Sequence, residues 1–367
     1  MNKKIRAIGA IVLVTVWVVL TGFAWFAPAK DTSDAERRPL AQMPRLTVDT
    51  LLSGKFMTDF EAYTLDQFPL RDGFRTVKSM FHYYGLNQSD NNGIYIADGY
   101  AAKLEYPLKE ASLNHAVKKF ENIYETYLKD TGSTVIMSVV PDKGYYLAEQ
   151  NGYLAMDYDV LFAMMEERLP WASCVDITDC LTAQDYYRTD THWRQERLLA
   201  VAQRLSRALG VTEPAKEDYT VTTLERPFYG VYYGQAALPM DPERMYLMEN
   251  DLLSACTVYH YETQTHSNIY DKGKLNGKDM YDVYLSGAQA LLRVDNLQAA
   301  TDKELIVFRD SFGSSLVPLL MRDYKTVTLV DIRYIGTDKL ADYLEFNGQD
   351  VLFLYSTLVL NNSSTLK

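Results

Sequence analysis

Apolar positions along the chain change their period several times, and each change marks an element. The uncharged run from Ala7 to Ala27 follows the basic residues Lys3, Lys4 and Arg6 and precedes Asp31, Asp34 and Glu36. About 20 apolar residues cross a bilayer core as a helix, and a basic flank stays on the cytoplasmic side. The run therefore predicts a membrane anchor with the rest of the chain outside the cytoplasm. A cleaved leader is the competing reading, because Ala27-Pro28-Ala29 has the form of a cleavage site. The run is longer than a usual leader core, and both readings leave the domain outside the cytoplasm, secreted if cleaved.

Residues 28–50 are rich in proline and charge and read as a stalk. Residues 51–85 carry a helical pattern (Phe56, Phe60, Tyr63, Leu65, Phe68) that Pro69 interrupts. Ser133 to Val140 is β-branched and apolar and predicts a buried strand ended by Pro141-Asp142. Helices are predicted over 111–129, 157–168 and 195–209, the last with Leu198, Leu199, Val201, Ala202, Leu205 and Leu209 on one side and Gly210 as its stop. The last third alternates strand and helix: strands over 304–308, 326–332 and 350–355, helices over 312–321 and 339–346. Continuous apolar strands spaced by short helices predict an α/β fold, a parallel sheet with helices on both faces. Residues 215–280, of mixed polarity, read as an insertion, and no repeat marks a solenoid.

Composition narrows the compartment and the partners. Lys plus Arg number 37 against 48 Asp plus Glu, a formal net charge of −11, and this acidity excludes a nucleic-acid binder, which needs a basic face. Five His and three Cys with no C-x-x-C motif give no zinc ribbon or haem array, so no metal or cofactor is expected. Cys174 and Cys180 are spaced to pair across a loop, leaving Cys256 over; three buried thiols is the other reading.

In a sheet of this kind chemistry sits at the C-terminal ends of the strands, which marks the turn Arg309-Asp310-Ser311. A Ser there can expose its hydroxyl at the strand end, beside the N–H groups of the next helix. Alternatively Ser311 or Asp310 is only the helix cap. The second segment is Asp190-Thr191-His192-Trp193. In extended chain, residues two apart share a side, so Asp190 can hold one nitrogen of His192 and make it a better base. A structural His beside a carboxylate is the plainer reading, and a metal site lacks a third ligand. Together Ser311, His192 and Asp190 supply a nucleophile, a base and an orienting carboxylate.

These segments, with Glu36-Arg37-Arg38-Pro39-Leu40, Asp66-Gln67-Phe68-Pro69-Leu70-Arg71-Asp72, Val140-Pro141-Asp142-Lys143, Tyr281-Asp282-Val283-Tyr284-Leu285-Ser286-Gly287, Arg309-Asp310-Ser311-Phe312 and Val330-Asp331-Ile332-Arg333-Tyr334, resemble in order and spacing the DHHW family. These are bacterial extracytoplasmic proteins related to the alginate O-acetylation proteins AlgX and AlgJ, and the resemblance runs nearly full length. It implies an SGNH-hydrolase-like fold and a Ser-His-Asp acyl-transfer site, with Ser311 as nucleophile, His192 as base and Asp190 as orienter. Thr191 stands where the family's namesake motif has a second His. The Asn that SGNH enzymes bring to the oxyanion hole is absent from Ser286-Gly287-Ala288-Gln289, which leaves Gly287 or Gln289 to substitute. Lys143 and Arg309, near strand ends, are candidates to line an anionic groove; for Lys143 ordinary surface charge is preferred.

The resulting division is a cytoplasmic flank (1–6), an anchor (7–27), a juxtamembrane stalk and helix (28–75), the SGNH-like domain (76–360) and a tail (361–367). The resemblance implies O-acetyl transfer to, or acetyl-ester cleavage from, a cell-surface polysaccharide, beside a membrane-bound O-acyltransferase partner. Two other classes stay open. One is a non-catalytic polysaccharide-binding or assembly protein, for which the 28 Tyr would supply stacking surfaces. The other is a peptidase or lipase, disfavoured because no G-x-S-x-G elbow occurs.

Overall fold

A computed structural model describes residues 3–33 and 35–367; Asp34, expected just past the anchor, and Met1 and Asn2 of the basic flank lie outside the described residues. The chain forms two compact units, residues 1–91 with 234–239, and residues 92–233 with 240–367.

The first unit opens with α1 (Lys3–Phe26), a helix that is uncharged after Arg6 and long and apolar enough to cross a membrane. Three helices follow: α2 (Val48–Leu52), α3 (Lys55–Asp66) and α4 (Arg71–Met80), which a π-turn extends over Phe81–Gly85. The break at 67–70 falls where Pro69 predicts it. Charge holds this unit together: Arg71 and Arg75 both reach Glu36, at 2.5 and 3.2 Å, and Arg38 pairs with Asp66 at 2.6 Å. The Arg38 guanidinium holds the Asp66 carboxyl down to about 2.

The second unit is built on one eight-stranded sheet. In chain order its strands are β1 (Val135–Val140), β2 (Ser173–Cys174), β3 (Thr257–His260), β4 (Thr265–Ser267), β5 (Leu291–Asp295), β6 (Lys303–Arg309), β7 (Tyr324–Val330) and β8 (Asp350–Ser356). They lie in the order β4-β3-β5-β7-β6-β8-β1-β2. From β7 to β2 every pairing is parallel; β5, β3 and β4 join antiparallel. The sheet is thus mostly, not wholly, parallel. The segment read as an insertion supplies β3 and β4, and its short polar-flanked strands hide their role because edge strands carry little apolar signal.

Both faces of the parallel part are covered, which is why its strands read as unbroken apolar runs. Side chains alternate between faces. Leu305 and Val307 of β6 and Leu352 and Leu354 of β8 pack with Val201, Ala202 and Leu205 of the helix Leu199–Leu209. Ile306, Phe308, Val351 and Phe353 pack on the opposite face with the helices Glu110–Ile123 and Tyr158–Arg168. Two helical expectations shorten. Residues 312–321 form one α-turn, Gly313–Leu316, and then a 3-10 turn over Val317–Leu320; at 339–346 only the 3-10 turn Thr337–Asp342 forms. Pro318 stands at the start of the 3-10 turn in the first of these. The seven C-terminal residues, expected as a tail, are packed, with Asn361, Ser363 and Leu366 buried. All three cysteines are free: Cys174 is exposed, Cys180 half-buried and only Cys256 buried.

Phe353 is the centre of the second face, with ring centroids 4.7 Å from Phe308, 5.3 Å from Phe120 and 5.6 Å from Trp171. Phe353→Ala should cost about 3–5 kcal/mol by denaturant unfolding, and Phe353→Leu clearly less; equal losses would show that the site is not close-packed.

Candidate active site

The ends of the parallel strands gather a cluster of buried polar groups. Asp310 follows β6, and its carboxylate ties the turn to the neighbouring strand. Oδ1 accepts from the N–H of Phe312 at 3.0 Å, and Oδ2 accepts from the N–H of Ser356, at the end of β8, at 2.8 Å. Neither Asp310 nor Ser311 caps the short helix, whose N-cap is Phe312 and carries no side-chain cap bond. Ser311 Oγ lies 2.7 Å from Nε2 of His192, which is 119 residues earlier in the chain.

His192 is fixed on every side. Nδ1 is 2.6 Å from Oδ1 of Asp190. An ionised carboxylate only accepts, so Nδ1 carries the proton and Nε2 presents its lone pair to the Ser311 hydroxyl. The imidazole stacks on Tyr281, with centroids 3.8 Å apart and planes within 8°. The chain bends over 188–192 instead of running extended, and the Trp193 indole N–H donates to the Phe312 carbonyl at 3.1 Å and to Ser315 Oγ at 3.0 Å. Tyr281 reaches the same Ser315 hydroxyl at 2.7 Å. One serine therefore registers the residue after the base against the ring that supports the base.

Asp190 is fully buried, and a buried carboxylate needs several donors. It receives the His192 backbone N–H at 3.0 Å and the Val231 N–H at 2.7 Å. The segment around Val231 wraps the loop closely. The Gly230 N–H donates to Thr189 Oγ1 at 3.0 Å, the Tyr233 N–H to the Thr189 carbonyl at 3.1 Å, and Tyr232 OH to Thr191 Oγ1 at 3.0 Å. Thr191 is thus accommodated where the family motif has His. A Cβ on Gly230 would run into Cα and Cβ of Asp190 and the Thr189 carbonyl. Gly230 and Val231 are absent from the sequence reading; a lone glycine 41 residues downstream carries no local signal of this contact.

Lys143 is neither surface charge nor groove lining. It is buried, donates to the carbonyls of Tyr187 at 2.8 Å and Arg188 at 3.3 Å, and lies 5.1 Å from the Tyr232 ring centre. Burial pushes its amine down to about 7, against the opposing pull of Asp190, Glu243 and Asp142.

The residues expected at the oxyanion hole or substrate are elsewhere. The Gly287 N–H closes its own turn on the Tyr284 carbonyl at 3.2 Å, so it has no free donor to offer. The Gln289 amide oxygen is 2.9 Å from Nδ1 of His260, on β3. Arg309 has no exposed surface; it donates to the Gly287 and Asp310 carbonyls and lies 4.0 Å from Asp331. It braces the Ser311 turn from beneath and cannot touch a substrate. Among the described residues the backbone N–H of Ser311 itself makes no hydrogen bond, which leaves a donor beside the Ser311 hydroxyl.

No family model matches the sequence, and no curated protein sequence matches it. Solved structures share its fold. A DHHW family protein from Eubacterium siraeum superposes with a TM-score of 0.60 at 23% identity, over 75% of this chain and 95% of that one. Bacillus cereus PatB1, solved alone and with a sulfonyl adduct, superposes with a TM-score of 0.58 at 18% identity over 73% of this chain and 96% and 95% of the two PatB1 chains. The fold is the SGNH-like one that the sequence resemblance implies, and the neighbours match that resemblance.

Two outcomes follow from this geometry. Gly230→Ala should cost about 1–3 kcal/mol by denaturant unfolding, because its Cβ has no room against Asp190 and the Thr189 carbonyl; an unchanged midpoint contradicts the wrapping described. For Lys143 the unfolded chain holds its proton to about pH 10.4, so above pH 7 the unfolded state binds more protons and folding gains stability as pH rises. Stability should climb between about pH 7 and 9, by up to about 1.4 kcal/mol per unit, and Lys143→Met should flatten that climb.

Proposed function

We propose that the chain is a membrane-anchored, extracytoplasmic acyl-transfer enzyme that moves acetyl groups on a cell-surface polysaccharide through an acetyl-serine at Ser311. The observation that carries this reading is the unbroken chain Asp190–His192–Ser311, with links of 2.6 and 2.7 Å.

Nε2 of His192 takes the hydroxyl proton as Ser311 Oγ attacks the acetyl carbonyl carbon. Negative charge gathers on the carbonyl oxygen, where the Ser311 N–H supports it, and Asp190 stabilises the imidazolium. The C–O bond to the leaving alkoxide breaks, and His192 returns the proton to that oxygen. A sugar hydroxyl then loses its proton to His192 and attacks the acetyl-serine, and the reverse sequence frees Ser311. Water in place of the sugar makes the same site an esterase. In this proposal a membrane-bound O-acyltransferase supplies the acetyl group.

Two further points support the reading. PatB1, which shares the fold, was obtained with a sulfonyl adduct; in this chain the atom poised to take such a reagent is Ser311 Oγ. A purely glycan-binding domain would leave Ser311 as a helix cap, and here its hydroxyl caps nothing and meets His192 Nε2 instead.

Ser311→Ala should lower kcat/KM for a chromogenic acetyl ester by at least about a thousandfold, and His192→Ala comparably, since members of a triad act as a unit. Undiminished turnover in Ser311→Ala would refute the assignment.

A further inference from the structure

One helix of the first unit, α4, is packed inside out. α2 and α3 bury no residue, and α4 buries only Ser79. On α4, Arg71, Arg75 and Ser79 share one side, four residues apart. That side faces inward: Arg71 and Arg75 hold Glu36, Arg75 donates to the Gly234 carbonyl at 3.0 Å, and Asn91 donates to Ser79 at 2.7 Å. The apolar side faces out. Leu70, Phe74, Val77, Phe81 and Tyr84 follow one another at spacings of four and three, and they are 76, 49, 67, 60 and 63% exposed. A helix in water orients the opposite way.

What covers the stripe follows from its tether. The backbone of Lys30 is clamped on both sides by one side chain: its N–H donates to Gln67 Oε1 and its carbonyl accepts from Gln67 Nε2, each at 2.9 Å. Lys30 is four residues past Phe26, the end of α1. Four residues reach at most about 14 Å, and each interfacial layer of a bilayer is about 5–8 Å deep. Gln67, three residues before Leu70, is therefore held at the membrane surface whenever α1 spans it.

We propose that the stripe from Leu70 to Tyr84 lies in the lipid interface, so that α4 is a second, in-plane contact with the membrane that α1 crosses. This rests on the anchor reading of α1 and is independent of the acyl-transfer reading. The polar side of α4 then binds its own unit while the apolar side enters the boundary between headgroups and acyl chains. The first unit is then fixed in orientation as well as in place.

The test uses the full chain in nanodiscs of phosphatidylcholine and phosphatidylglycerol doped with a phospholipid carrying a diazirine in its acyl chain. After photolysis, adducts are mapped by mass spectrometry. Two clusters are expected, one within residues 4–26 and one within residues 70–84. Val77→Glu with Phe81→Glu should reduce the second cluster at least tenfold and spare the first, with the unfolding midpoint unchanged because both side chains are exposed. Adducts confined to 4–26 would overturn the proposal and leave the anchor standing. Adducts confined to 4–26 in a chain that is dimeric by mass in the nanodisc would overturn it in favour of a second copy covering the stripe. Adducts in neither segment would refute the anchor reading together with it.

Discussion

The Trp193 side chain is the constraint on which the site depends. Its indole N–H reaches the Phe312 carbonyl and Ser315 Oγ, and so joins two segments that lie 119 and 122 residues apart in sequence. His192, the preceding residue, is thereby fixed over the Ser311 turn, and a bridge to Ser311 of 2.7 Å becomes a property of the fold. Asp190 orients the imidazole within its own loop, and the indole bond fixes that loop against the Ser311 turn. The stack on Tyr281 closes the remaining freedom, because the same Ser315 holds the Tyr281 hydroxyl.

The other strand ends are occupied by buried polar groups that serve as scaffold. Asp142 accepts from Thr357 Oγ1 at 2.7 Å and from the Gly144 N–H at 2.6 Å, tying the end of β1 to the end of β8. Burial pushes its carboxyl up, with the donors opposing. Asp331 holds Arg333 at 2.6 Å after β7, and Asp310 ties β6 to β8. Removing one partner from such a network leaves a desolvated group behind, which costs more than the bond itself contributes. The rigidity of Ser311 and His192 thus derives from neighbours that never meet a substrate.

Much of this was legible in the sequence, for identifiable reasons. The strands β1, β6 and β8 announce themselves because both of their faces are covered, and the turn after β6 marks the site because ligands gather where parallel strands end. The Asp190-x-His192 spacing is a local geometry, so it survives from sequence to structure intact. What failed was long-range. Gly287, Gln289 and Arg309 follow from motif position alone; Gly287 closes a local turn on Tyr284, and Gln289 and Arg309 meet His260 and Asp331 through tertiary packing. Lys143 reads as surface charge because nothing local shows that carbonyls 44 and 45 residues away will receive its ammonium. Gly230 reads as nothing at all, since its importance is the absence of a Cβ against Asp190.

The central claim is that Ser311 is an activated nucleophile and not merely a well-placed hydroxyl. The most direct measurement is the intact mass of the protein after treatment with a fluorophosphonate, with peptide mapping, in the wild type and in His192→Ala. The account predicts a single adduct on Ser311 that is lost in the His192 variant, because the reagent needs the proton removed by Nε2. No adduct on Ser311 in the wild type, or an adduct that forms equally well without His192, would contradict it.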